Sequence, residues 1–284
     1  MHSGAKIWKK LTNSKVYNIS KIEKKFLKKE SKEVIKEINT KFNIIDMGCG
    51  DGGTVSIFLR QVSKRFTPKY CALDISKEML AKSNVFLEKK FPKLNSEFHQ
   101  LDFEEGNFAY LTENLKEKNY KTNLILLLTN TLDNVVDRSR VLTNIRESMT
   151  LNDYLLIGIE LFDIKRTQNI LKQYTKGSIV RRLVLNALKN YGVNEKDGEW
   201  VVDFNTNKIQ IEIRFIPKKD LPIKIGRRKI ILKKKNKSLL LAVSYKPTPK
   251  SLQLLLANSD FFIKKSFLVP NENYAFVLCK PTQW

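Results

Sequence analysis

Four glycines crowd the stretch "IIDMGCGDGG" (residues 44–53), at Gly48, Gly50, Gly52 and Gly53, just behind Asp46. Residues without a Cβ let a backbone turn tightly and pass close to a second group, as a strand-to-helix turn must when it admits a nucleotide-like ligand. Two acids further along have the chemistry to complete such a site. Asp74, closing "KYCALDIS", is a carboxylate that can accept hydrogen bonds from both hydroxyls of a ribose. Asp102, followed by Phe103 in "SEFHQLDF", can accept from an exocyclic amine beside an aromatic face. Taken singly, each acid is an ordinary turn or cap residue. Three strand ends that each supply the right group point to one adenosine-bearing ligand. A dinucleotide reading finds no acid or base here for hydride transfer.

These residues need a scaffold that brings strand ends together. From about residue 40, "FNIIDMG" reads as a buried strand and "TVSIFLRQVSKRF" as a helix. "KYCALDIS" is a second strand and "KEMLAKSNVFLEKKF" a helix. "SEFHQLDF" and "NLILLLTN" are strands three and four, "RSRVLTNIRESM" a helix and "DYLLIGIELF" a fifth strand. Such alternation implies right-handed crossovers and a mostly parallel, doubly wound α/β sheet with helices on both faces. After residue 163 the rhythm changes. Helical stretches are followed by "KIQIEIRFIP" and "SLLLAVSYKP", whose period of two predicts an antiparallel patch. A helix "PKSLQLLLANS" and a closing hairpin of "FFIKKSFLVP" with "YAFVLCKP" then restore the first style. The expected division is a core of residues 39–163 plus 248–284. An inserted α+β subdomain would take 164–247 together with the basic N-terminal helix region, 1–38.

The 284 residues carry 52 Lys+Arg against 29 Asp+Glu, a formal charge of +23. Nucleic acid is one reading of that charge. The lysines are nevertheless spread along a chain rich in Ile and Asn, and only "KIGRRKIILKKKNK" (224–237) concentrates them. Three scattered cysteines and two histidines argue against a disulfide framework and against a zinc site. With neither a long apolar run nor an apolar leader, a cytoplasmic protein is expected, without membrane contact and acting as a monomer.

The D-x-G-x-G spacing from Asp46 through Gly48 and Gly50 resembles the first motif of S-adenosylmethionine (SAM) methyltransferases. SAM is therefore the implied cofactor, met by Asp46, Gly48, Gly50, Gly52, Asp74, Asp102, Phe103 and, after strand four, Thr129. The wider chain is similar to the histidine-specific Nα-methyltransferases of ergothioneine biosynthesis. "KLTNSKVYNISKIEKKFL" resembles that family's N-terminal segment, and "LLLTNTLDNVVDRSRVLTNIRESMTLNDYLLIGIELFD" its block after strand four. "LLLAVSYKP" stands where the family has Glu-x-Ser-x-Lys-Phe, and "YAFVLCKP" fits its closing strand. The resemblance implies a Rossmann-like class I core. It also implies that Asn134, Tyr17 and Tyr174 hold the carboxylate and ammonium of an amino-acid substrate, and that Ser244 lies at its side-chain end.

One departure bears on the substrate. Ala242 replaces the family glutamate that grips the imidazole. The amino-acid end of the pocket is thus expected to be kept and the side-chain end changed, which leaves an amine acceptor but puts histidine in doubt. Methyl transfer needs positioning more than acid–base machinery. A group near the amine could still help it shed a proton, and Tyr17, Tyr174 and Glu160 are the candidates. Alternatives are a protein lysine or N-terminal methyltransferase, an RNA methyltransferase, or a non-catalytic relative. The place after strand four reads "TNTLDN", without the proline and aromatic that a base N-methyltransferase uses to grip a flipped base.

Overall fold

Strands Phe42–Met47 (β1), Thr122–Leu127 (β4) and Tyr154–Glu160 (β5) are buried at every position. Continuous apolar runs of this kind arise where helices cover both faces of a sheet. The computed structural model describes residues 19–165, 178–189, 191–225, 228–234, 238–270 and 273–283, with positions 7, 10, 11, 168 and 171. Two compact units result: Ile19–Leu161 with Thr248–Trp284, and Met1–Asn18 with Phe162–Pro247.

The first unit holds the parallel strands β1, Tyr70–Asp74 (β2), Ser96–Gln100 (β3), β4 and β5. Phe261–Val269 (β11) and Tyr274–Pro281 (β12) add an antiparallel edge, and the order is β11-β12-β5-β4-β1-β2-β3. The register aligns Asp46 with Ala72 and Leu126, and Met47 with Leu73 and Leu127. Chain order reverses between β1 and β4, so the ligand crevice of such a sheet is expected beyond the carboxyl ends of those two strands.

Helices cover the sheet: Ile19–Ile38 (α1), Val55–Val62 (α2), Lys77–Lys90 (α3), Ala109–Leu115 (α4), Arg138–Glu147 (α5) and, near the C-terminus, Pro249–Ala257. Ser76 caps α3 by accepting from the Met79 amide, and Asp137 caps α5 by accepting from that of Arg140. Placement of α1 differs from the expected division, which grouped 1–38 with the inserted part. Its apolar stripe of Ile22, Phe26, Leu27, Val34 and Ile35 is buried in the core unit. Phe26 stacks on Phe276 of β12, ring centroids 3.6 Å apart. A stripe that has found a core stays with it, whatever the charge of the exposed face.

The second unit contains an antiparallel sheet of Leu239–Tyr245 (β10), Gln210–Pro217 (β7) and Gly198–Asn205 (β6), with Ala242 opposite Ile213 and Ser244 opposite Ile211. The antiparallel patch expected from "KIQIEIRFIP" and "SLLLAVSYKP" is the β7/β10 pair. Leu221–Ile225 (β8) and Arg228–Leu232 (β9) form a separate hairpin within the basic stretch. Leu185 and Leu188 of the helix Ile179–Lys189 pack with Val193, Phe215 and Leu221 to give this unit its own core. Among the described residues, no helix is long and apolar enough to cross a membrane.

Candidate functional site

The glycine turn follows β1 directly. Gly48 has φ +72°, and a Cβ there would lie 2.6 Å from Thr131 Oγ1. The missing side chain is therefore what allows the turn to pass the segment after β4. A Cβ on Gly50 would meet nothing within 4 Å, so space beside the backbone is left open there. Gly52 is instead a packing glycine, close to Ser83, Phe86 and Leu87 of α3.

The acids fall at the strand ends. Asp46 is buried on β1 and accepts a hydrogen bond from the Tyr70 hydroxyl at 2.9 Å. Burial pushes its carboxyl up to about 7, and the charge of Asp74 adds to the shift while the Tyr70 bond opposes it. Asp74, 9% exposed, closes β2 and ties the turn together: Oδ2 accepts from the Gly50 amide at 3.2 Å and Oδ1 from that of Ser76 at 2.9 Å. Its carboxyl is likewise raised by burial, against those two amides. Asp102 lies two residues beyond β3 and accepts from the Glu104 amide, while the Phe103 carbonyl accepts from Asn144 Nδ2 at 2.8 Å. All three acids thus belong to one unit, Asp46 and Asp74 at the carboxyl ends of the neighbouring strands β1 and β2 and Asp102 just past β3.

The segment after β4 completes this group. Thr129 and Asn130 both have positive φ, +54° and +57°, which non-glycine residues rarely adopt. A short 3₁₀ turn, Leu132–Asn134, follows. The cap of α5 is Asp137, so Asn134 is not spent on capping, and its side chain is exposed. Glu160 closes β5 opposite Tyr274 and is 3% exposed, so it is no solvated strand-end acid. Ser244 and Ala242 lie on β10 in the other unit, where Lys246 donates to Ser244 Oγ at 2.8 Å. Tyr17 and Tyr174 lie outside the described residues.

Sequence reasoning missed one group. Glu23 of α1 is fully buried, and its Oε1 accepts from the Thr129 amide at 2.7 Å and the Tyr274 hydroxyl at 2.6 Å. The available signal was an acid within the apolar stripe of an otherwise lysine-faced helix.

Buried strand-end carboxylates, an open space at Gly50 and a crevice at the β1/β4 reversal fit an adenosine ligand that carries positive charge. Solved structures of similar fold include a SAM-dependent methyltransferase from Clostridium acetobutylicum, 12% identical over 98% of both chains with a TM-score of 0.51. Another is the magnesium protoporphyrin IX methyltransferase of Synechocystis with bound S-adenosylhomocysteine (SAH). It is 12% identical over 99% of this chain and 95% of that one, TM-score 0.55. No curated protein sequence matches. The fold is that of the class I SAM methyltransferases. A family model described as "Histidine-specific methyltransferase, SAM-dependent" matches residues 2–281. With the family model over residues 2–281 and the fold in agreement, the chain belongs to the histidine-specific SAM-dependent methyltransferase family and is a SAM-dependent methyltransferase.

Proposed function

We propose that the protein methylates the amino nitrogen of an amino acid or a related small amine. The observation that carries the reading is the contrast between its two ends. The groups expected to hold cofactor and amino-acid backbone are present, Asn134 among them, while Ala242 stands where the family pairs the imidazole with a glutamate. An amide can satisfy a zwitterion's carboxylate without adding charge, so Asn134 suits any α-amino acid. Removing a carboxylate that pairs with a polar side chain costs on the order of 2–5 kcal/mol, which favours a less polar side chain than histidine's.

In this proposal Asp74 receives the ribose hydroxyls, Asp102 and Phe103 the adenine, and the turn of Gly48–Gly52 with Asp46 and Thr129 the methionine portion. SAM supplies an electrophilic methyl group on a sulfonium. The protein's part is to align a neutral amine with it. Free α-amines have a pKa of about 8, so some neutral form is already present at neutral pH. Glu160, buried at the end of β5, is our choice among the described residues for the group that takes the remaining proton, with Tyr17 and Tyr174 as partners in holding the substrate.

The test is incubation with labelled SAM and a panel of free amino acids, a peptide mixture and total RNA, read by mass spectrometry. Methyl groups on a free amino acid are expected. Label confined to RNA would overturn the proposal and favour the reading that the charge of +23 suggests.

A further inference from the structure

Glu23 reaches the crevice from outside the sheet. It sits on α1, 106 residues from Thr129 and 251 from Tyr274, yet bonds both through a single oxygen. Room for that oxygen comes from β5: a Cβ on Gly158 would lie 2.5 Å from Glu23 Oε1. The other oxygen, Oε2, is buried with no hydrogen-bond partner among the described residues. A carboxylate kept only as a staple would be expected to have both oxygens satisfied, because an unmet buried acceptor is costly. Among the described residues, the charged and titratable groups acting on it are Asp46 on β1, the Tyr274 phenol on β12 and Lys24 on its own helix, and Glu160 lies two residues along β5 from Gly158. Of these, only Lys24 is a cation. The balance of these groups around Glu23 is therefore acidic, beside the β1/β4 reversal where ligands of such sheets bind.

We propose that Glu23 is a positioning residue of the cofactor site: it fixes the left-handed Thr129–Asn130 turn through Oε1 and supplies buried negative charge that favours the sulfonium of SAM over the neutral thioether of SAH. The inference rests on SAM-dependent transfer and not on the identity of the acceptor. Burial pushes the Glu23 carboxyl up to about 7, the Asp46 charge adding and the Tyr274 and Thr129 bonds opposing. A cation arriving nearby favours the ionised form, so SAM binding draws off a proton near neutrality and SAH binding does so less.

Calorimetric titration with SAM and with SAH tests this without any acceptor. The α-amino groups of the two ligands titrate alike and cancel in the affinity ratio. In the native protein the preference for SAM over SAH should grow between pH 6 and 8. Glu23→Gln, which keeps an oxygen to accept from Thr129 and Tyr274, should lower that preference by about tenfold at pH 8 and leave SAH affinity within about twofold. Tyr274→Phe removes a bond that favours the ionised acid, and should move the rise to higher pH. An unchanged ratio in Glu23→Gln, or equal weakening of both ligands, overturns the proposal. Should that variant not fold, an unmoved rise in Tyr274→Phe does so.

Discussion

Replacing Asp74 by alanine tests the proposed ribose contact. The carboxylate is 9% exposed at the end of β2 and already holds the Gly50 and Ser76 amides. A ribose adds two hydroxyl donors to an ionised acceptor, and hydrogen bonds to charged groups contribute about 1.5–3 kcal/mol each. Losing both removes roughly 3–6 kcal/mol, a weakening of SAM binding by about a hundredfold to ten-thousandfold. Because SAM and SAH share the ribose, the two should weaken together, unlike the selective loss expected for Glu23→Gln. Asp74→Asn keeps one oxygen for the Gly50 amide while losing the charge, and should fall between the native protein and alanine. Isothermal calorimetry with both ligands gives the numbers, and urea denaturation shows whether each variant is folded. A dissociation constant within threefold of native in folded Asp74→Ala would refute the ribose assignment.

Three further outcomes follow from the same geometry. Ala242→Glu should improve use of histidine by at least about tenfold in a labelled-SAM assay, and no change would mean that this position of β10 does not meet the side chain. Gly48→Ala sets a Cβ 2.6 Å from Thr131 Oγ1 at a φ of +72°, and should lower stability by about 1–3 kcal/mol in urea denaturation. The Glu23 carboxyl is raised from 4.5 to about 7 in the fold, so its contribution to stability is fully present below about pH 4.5 and is lost as pH rises through about 7. Cofactor-free Glu23→Gln should therefore lose less stability than the native protein between pH 5 and 7.5, measured by thermal melting, and parallel curves would contradict this.

The core was readable because its signals are local. Continuous apolar runs and the glycine turn marked β1, and the spacing of "KYCALDIS" and "SEFHQLDF" put Asp74 at a strand end and Asp102 just past one. Alternation likewise marked β7 and β10. Strand β6, "GEWVVDFN", escaped because its half-buried residues do not alternate. The hairpin of β8 and β9 was hidden in a run of lysine and arginine that read as charge, not structure. Glu23 was out of reach for another reason. Its partners are a backbone amide and a phenol from distant strands, and no periodicity encodes them. The grouping of α1 with the core unit was hidden similarly, since the lysines of its exposed face masked an apolar stripe matched to β12.

The Glu23–Tyr274 bond also orders events in time. A chain made from its N-terminus completes α1 long before β12, with the whole of Phe162–Pro247 synthesised between them. Closure of so long a loop is slow relative to local helix and strand formation. Until β12 pairs with β5, the Phe26 stripe lacks Phe276 and the Glu23 carboxylate lacks its phenol. A nascent chain that has completed β1 to β5 thus has its glycine turn and strand-end acids but neither the Glu23–Tyr274 bond nor the Phe26–Phe276 stack. Competence to bind SAM should appear as a single step, once β12 has left the ribosome and paired with β5.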